Sequence, residues 1–251
     1  MNTKAFYAKT IFISGGSSGI GLASAKHFID NGAAHVYICG RDQNKLAQVK
    51  QSLGERVSVL QADLSQVDSI ARMAQQLIDV KIDVLFANAG VAENNVLGDT
   101  TEAQFDASFD TNVKGIFFTV QSLLPKMVDG GNIILNASVA SNKGMNYLSV
   151  YSATKAAVRS FARTWCNDLK GRKIRVNTIS PGVTETPILQ TGLKMNEESL
   201  AGLKQFLGEA VPAGRIAAAE EIAHAVGFLA SDAASFVNGV ELCVDGGFTQ
   251  I

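Results

Sequence analysis

Residues 10–21, Thr10-Ile11-Phe12-Ile13-Ser14-Gly15-Gly16-Ser17-Ser18-Gly19-Ile20-Gly21, decide how the chain is to be read. An apolar run rich in β-branched residues predicts a strand, and the helical spacing of Ile20, Ala23, His27 and Phe28 predicts a helix directly after it. The turn between them is nearly all glycine and serine. A pyrophosphate needs backbone amides brought close at the positive end of a helix, and larger side chains there would hold it away. Gly15 suits the tight turn, Gly19 can admit a ligand, and Gly21 can let the helix lie against the strand. Ser17, Ser18 and Ile20 complete the cradle. The spacing is a variant of the dinucleotide fingerprint, and the absence of a following Gly-Lys-Ser/Thr argues against a nucleoside-triphosphate P-loop. The alternative is a flexible connecting loop.

Outward from this turn, short β-rich runs alternate with helical stretches to about residue 180. Candidate strands fall at 10–14, 35–39, 57–61, 83–87, 132–137 and 173–179. Several are continuous apolar runs, as expected when helices cover both faces of a parallel sheet. Ile70, Met73, Ala74 and Leu77 mark one helix, and a final helix at 219–230 with a strand at 240–244 closes the chain. This order predicts an α/β doubly wound sheet of Rossmann type, in a single domain over residues 1–251. Residues 187–214 break the alternation. Leu200, Leu203, Phe206 and Leu207 there stand at helical spacing, either as a lid over a substrate or as a helix packed on the body.

Composition bounds the partners. With 251 residues, 47% of them hydrophobic, and a net charge of −1, the chain has no electrostatic draw toward nucleic acid or an anionic membrane. Met1 to Lys9 is polar, broken by Lys4 and Lys9, and lacks the apolar core of a signal peptide. No run approaches the roughly eighteen apolar residues of a membrane span. Cys39, Cys166 and Cys243 match no zinc spacing and no disulfide framework, so no metal is expected and a reducing, cytoplasmic setting is.

Carboxyl ends of strands face the ligand crevice in such sheets. Asp63, ending the third strand beside Leu64, could accept from an adenine amino group or serve only as turn chemistry. Asn88-Ala89-Gly90, ending the fourth, is small enough to let a cofactor lie on backbone. The second strand runs Val36-Tyr37-Ile38-Cys39-Gly40-Arg41. NAD-selective sheets place a carboxylate at its end, and Cys39 is read as standing there without that charge. Gly40 leaves room, and the planar Arg41 cation suits a 2′-phosphate, with the Ser17 hydroxyl beside it. NADP(H) is therefore expected over NAD(H), the alternative being that Arg41 starts a surface helix and pairs with Asp42 or solvent.

Tyr151-Ser152-Ala153-Thr154-Lys155 carries the candidate chemistry. Tyr and Lys four apart share a helix face. A phenol titrates near pH 10 and needs a neighbouring ammonium to exchange protons at neutral pH. Ser138, just past the fifth strand, could bind the same substrate oxygen.

Taken together, these residues make the chain resemble the short-chain dehydrogenase/reductase family over essentially its whole length. The matching positions are Gly15, Gly19, Gly21, Asp63, Asn88-Ala89-Gly90, Asn112 in Thr111-Asn112-Val113, Ser138, Tyr151 with Lys155, Pro181-Gly182, and Asp245-Gly246-Gly247. Ser14 stands where the family often has Thr, and Asn136-Ala137-Ser138 replaces a more serine-rich run. The resemblance implies seven parallel strands in the order 3-2-1-4-5-6-7 and reversible oxidoreduction of a ketone and a secondary alcohol. It implies Tyr151 as general acid/base, Ser138 on the substrate oxygen, and Lys155 lowering the Tyr151 pKa while holding the nicotinamide ribose. Asn112 would hold a water linking Lys155 to solvent, and Thr184 and Thr186 would contact the carboxamide. A homotetramer is implied, one interface from the helices around 104–127 and 150–169, another from the last helix and strand.

The expected substrate is a small molecule. Its pocket walls, at 91–100, 139–148 and 189–207, hold apolar and amide side chains without clustered charge, which favours a neutral, partly apolar compound. A catalytically silent dinucleotide sensor is the competing reading, against which the intact Ser138, Tyr151 and Lys155 stand. His27, His35 and His224 lack acidic or cysteine partners at ligand spacing and read as structural. Asp83, Glu197 and Glu198 read as solvated or capping.

Overall fold

The computed structural model describes residues 5–251; the reading of the amino terminus therefore rests in part on residues 1–4, outside the described residues. Seven parallel strands form the central sheet: β1 (Thr10–Ser14), β2 (His35–Gly40), β3 (Val57–Gln61), β4 (Ile82–Ala87), β5 (Met127–Asn136), β6 (Arg175–Pro181) and β7 (Glu241–Val244). Their order is β3-β2-β1-β4-β5-β6-β7, as the family resemblance implies. The helices are α1 (Gly19–Asp30), α2 (Gln43–Leu53), α3 (Val67–Gln75), α4 (Glu102–Phe109), α5 (Gly115–Leu123), α6 (Ser149–Asp168), α7 (Ile188–Thr191), α8 (Glu197–Ala210) and α9 (Ala219–Ala230).

The period-2 alternation of a strand sorts neighbouring side chains to opposite faces. Ile11 and Ile13 of β1, with Val84 and Phe86 of β4, pack beneath Phe28 of α1, Leu46 of α2 and Val226 of α9. Phe12 and Leu85, one position over, pack with Met73 of α3, Val120 of α5 and Val158 of α6. Both faces are therefore dry, which is why these strands read as unbroken apolar runs. Each fully buried side chain of this size contributes roughly 1.5–3 kcal/mol.

Several boundaries move by a residue or two. β6 begins at Arg175 rather than 173, because Lys173 turns through φ 54° at the end of a short helical turn. β5 begins earlier, at Met127, and shifts register opposite Ile82 and Val84. α3 ends at Gln75, although Leu77 stays buried. Between α4 and α5 the helix widens into one π-type turn, Asp110–Lys114. Gly115 permits this by approaching the Leu64 carbonyl, where a Cβ would sit 2.5 Å away.

Residues 187–214 form α7 and α8, and short parallel strands at Thr184–Glu185 and Ala217–Ala218 flank them. Val139, Leu207, Val211 and Phe248 make a third, small apolar cluster that seats the end of α8 on the body, whereas Phe206 is 60% exposed. No helix among the described residues is long and apolar enough to cross a membrane.

Candidate active site

The glycine turn is built around one hydroxyl. Ser14 Oγ accepts from the backbone N–H groups of Asn88 and Ala89, both at 3.0 Å, and so bolts the end of β1 to the end of β4. Asn88 Nδ2 donates in return to the carbonyls of Ser14 and Gly15, at 3.0 and 3.1 Å. Gly15 adopts φ +66°, and a Cβ there would lie 2.8 Å from Ala89 Cα. Gly21 faces inward, where a Cβ would meet the Gly15 carbonyl oxygen at 2.3 Å. Gly15 makes the turn, and Gly21 lets α1 close on it.

The turn opens into a crevice of about 510 Å³ along the carboxyl ends of the strands. Gly15, Ser17, Ser18, Gly19 and Ile20 line it at the turn, Arg41 at the end of β2, and Asp63 and Leu64 past β3. Asn88, Ala89 and Gly90 form its floor, with Pro181, Gly182, Thr184 and Thr186 on the opposite wall beside Ser138, Tyr151 and Lys155. Gly21 and Asn112 stand behind this lining. Asp63 does turn chemistry while facing the crevice: its Oδ1 accepts from the Ser65 N–H at 3.0 Å and the Ser65 hydroxyl at 2.8 Å. The Thr184 hydroxyl donates to the Gly182 carbonyl at 3.0 Å.

The end of β2 requires a correction. Cys39 does not occupy the position that a selective carboxylate would take. Its side chain is fully buried in the core, and burial pushes its thiol up to about 12. Alternation puts the next residue, Gly40, toward the crevice, where a Cβ would lie 3.2 Å from Ser17 Oγ. The error was one residue of strand register, enough to send a side chain to the other face. Arg41 is exposed at the crevice wall with Lys45 nearby. Asp42 is not its ion-pair partner. It caps α2 instead, accepting from the Asn44 and Lys45 N–H groups.

At the other end, α6 presents Tyr151 and Lys155 on one face, with Lys155 Nζ 5.6 Å from the phenol ring centre. Lys155 is buried and donates to the Asn136 carbonyl at 2.8 Å. That burial lowers its ammonium to about 8. The expected lowering of Tyr151 by Lys155 is not what this chain's own groups produce. Burial raises the phenol above its ordinary value, and a hydrogen bond with the Ser138 side chain is what opposes the rise. Ser138 also opens the short helical turn Val139–Ser141, accepting from the Ala140 N–H. Asn112, in the π-type turn, spends its amide on the Val91 backbone, accepting at 2.8 Å and donating at 2.9 Å, and donates to the Thr154 hydroxyl at 3.1 Å.

Sequence reasoning missed Asn136 as a site residue. Its Nδ2 donates to Asn88 Oδ1 at 2.8 Å, so one residue touches both the glycine-turn clamp and, through its carbonyl, Lys155. Nothing in the local sequence marks it beyond an amide in an apolar strand. The three histidines lie away from the crevice. His27 and His224 pack together between α1 and α9, ring centres 5.2 Å apart, and His35 meets Ser58 Oγ at 2.9 Å. No cluster among the described residues could hold a metal ion.

Comparison with known proteins fits this architecture. A sequence model of the family described as Enoyl-(Acyl carrier protein) reductase matches residues 15–249. The chain is 39% identical over 247 residues to "Oxidoreductase asL5" of Sarocladium schorii, covering 97% of this chain and 96% of that protein. Among solved structures it superposes with TM-score 0.91 and 30% identity on the "Short-chain dehydrogenase/reductase SDR:Glucose/ribitol dehydrogenase" of Brucella melitensis, covering 98% of both chains. It also matches a blue fluorescent protein from a metagenomic library, solved in complex with NADPH, with TM-score 0.88 and 28% identity over 97% of this chain and 99% of that one.

Proposed function

Because the chain belongs to the short-chain dehydrogenase/reductase family, and is an NAD(P)-dependent oxidoreductase, we propose that it interconverts a ketone and a secondary alcohol, with Tyr151 as the general acid/base. The observation that carries this reading is the meeting of Tyr151, Ser138 and Lys155 in the crevice that the glycine turn opens. The dinucleotide, when bound, supplies or accepts the hydride. Gly15, Ser17, Ser18, Gly19 and Ile20 would hold its pyrophosphate, and Thr184 and Thr186 its carboxamide, with Asp63 and Leu64 near the adenine and Asn88-Ala89-Gly90 beneath it. The glycine turn fits such a group, since Gly15 and Gly19 leave the backbone bare at positive φ.

In the reductive direction the Tyr151 hydroxyl gives its proton to the carbonyl oxygen as hydride reaches the carbon, so the alcohol gains both. A phenol raised by burial is protonated at neutral pH and ready for that step. The phenolate left behind is balanced by the Lys155 ammonium, charged below about pH 8. Ser138 donates a hydrogen bond to the same oxygen as negative charge grows there. Asn112 keeps Val91 and α6 in place through Thr154.

The crevice also supports a substrate and a cofactor preference. Arg41, Asp42, Lys45 and Asp63 all lie toward the glycine turn, while the half beyond Tyr151 is lined by Val91, Ala92, Met145, Leu148, Leu189 and Leu193. A neutral, partly apolar ketone fits that half, and Arg41 beside a Gly40 that carries no carboxylate supports NADP(H) over NAD(H). Action in the cytoplasm and assembly as a homotetramer belong to the same reading. The test is Tyr151→Phe, assayed by nicotinamide absorbance with an aryl methyl ketone, a medium-chain alkanone and a ketocarboxylate. General acid/base work is worth about 10²–10⁴-fold. Turnover should fall by that order with dinucleotide affinity intact, and retention of more than about a tenth of kcat would remove Tyr151 from the role.

A further inference from the structure

A polar cluster behind the crevice joins the elements that carry its reacting groups. Its hub is Glu241 on β7, whose side chain is 12% exposed. Glu241 Oε1 accepts from Ser180 Oγ at 2.6 Å, Asn142 Nδ2 at 2.7 Å and Ser141 Oγ at 3.0 Å. Its Oε2 faces Arg159 Nη1 at 3.4 Å. Arg159 also donates to Asn142 Oδ1, so that amide is gripped at both ends.

The partners come from the parts of the chain that matter. Ser141 and Asn142 end the turn that Ser138 begins. Arg159 stands one helical turn beyond Lys155 and two beyond Tyr151, on the same stripe of α6. Ser180 lies at the end of β6, just before Pro181 and Gly182 of the crevice wall. A carboxylate this enclosed is tolerated because donors surround it. Losing it would cut the bonds that tie Ser141 and Asn142 to β7 and, through the shared oxygen, to Ser180 of β6, and would leave Arg159 on Asn142 without the carboxylate that holds it.

We propose that Glu241 is a positioning residue for the reaction: it fixes the Ser138 turn against the Tyr151 helix so that both hydroxyls reach one substrate oxygen. This rests on the roles given above to Ser138 and Tyr151. A constellation of this kind works only when held within about 0.5 Å of its productive geometry.

Glu241→Gln keeps the shape and one acceptor oxygen but turns an N–H toward Arg159, and should fold. With the aryl methyl ketone as probe, kcat should fall about tenfold or more while the dinucleotide Kd, followed by fluorescence, stays unchanged. In a Ser138→Ala background the same substitution should cost little, because nothing is left for it to position. Equal cost in both backgrounds, or wild-type kcat in Glu241→Gln, overturns the proposal. A second readout needs no turnover: the phenolate absorbance of Tyr151, taken as the difference from Tyr151→Phe, should titrate at higher pH in Glu241→Gln as the Ser138 hydrogen bond loosens. An unmoved titration counts equally against it. Tyr151→Phe separates the two claims. If that variant stays active, the catalytic assignment falls. If it is inactive while Glu241→Gln and Ser138→Ala add independently, only the role of Glu241 falls.

Discussion

The proposed preference for NADP(H) rests on two adjacent residues, Gly40 and Arg41. Gly40 offers no carboxylate to a ribose and no bulk, and Arg41 is exposed at the crevice with no ion pair among the described residues. A charge-assisted hydrogen bond is worth about 1.5–3 kcal/mol. Arg41→Ala should therefore raise the KM for NADP(H) by about ten- to a hundredfold and change that for NAD(H) far less. Gly40→Asp should reverse the preference, by binding the ribose hydroxyls and repelling a phosphate. A kcat/KM ratio that already favours NAD(H), or that ignores Arg41→Ala, would show that the guanidinium lies outside the site. The sequence made Arg41 legible as a cation after a strand. It could not decide which of Cys39 and Gly40 faced the ligand, because an apolar run buried on both faces carries no alternation to read. Likewise Tyr151 and Lys155 were visible by their spacing, but the sign of the Tyr151 shift depended on burial, which only the packed structure supplies.

Among the elements, α8 was the least legible. Leu200, Leu203, Phe206 and Leu207 suggested an apolar stripe without saying what it met. The structure divides them: Leu207 is buried with Val139, Val211 and Phe248, and Phe206 is exposed. Val139 follows Ser138 directly, so α8 is seated on the turn that Ser138 opens, where the proposed reaction places a hydroxyl on the substrate oxygen. Leu207→Ala removes a buried side chain whose loss typically costs about 2–5 kcal/mol. The expected result is a higher KM for the ketone with dinucleotide affinity unchanged. Equal weakening of both would mean that α8 supports the whole crevice rather than its substrate end. The core strands and α9 were plain from sequence because continuous apolar runs and helical spacing survive any detail of packing. The π-type turn at Asp110–Lys114 was not, since its cause is the approach of Gly115 to Leu64, far earlier in the chain.

A buried lysine and a half-buried histidine give the whole molecule a pH dependence. Lys155 is lowered to about 8 from its ordinary 10.5, so between those values the unfolded chain binds more protons and stability rises with pH. Below about 8 the lysine is charged in both states, and its burial costs a constant amount of about 3 kcal/mol. Thermal melts should thus show a rise in stability from pH 8 toward 10.5 that is missing in Lys155→Met. An identical alkaline profile in the variant would contradict the burial of a charged lysine. His27 adds the acid limb. Burial, and then His224, hold it below 6.5, so stability drops as pH falls past that value and the unfolded chain takes up the extra proton. At the scale of assembly, Phe161 and Trp165 stack on α6 with ring centres 4.9 Å apart, and Phe236 near the end of α9 is fully exposed. The proposed homotetramer would cover surfaces of this kind, and light scattering that reports a monomer at micromolar concentration would dismiss it.

The separation of charge along the crevice has a practical consequence. The residues that would choose the dinucleotide come from the β2–α2 corner, Gly40 to Lys45, while those facing the substrate come from Val91, Met145, Leu148 and the α7 region. Ser138, Tyr151 and Lys155 line the crevice between the two groups, and in the proposed reaction they would do the chemistry rather than the choosing. On the proposed reading the two preferences would be separate modules. An engineer could then regraft the substrate half for a bulkier ketone without revisiting the redox currency, or change the currency for a different host without touching the substrate walls.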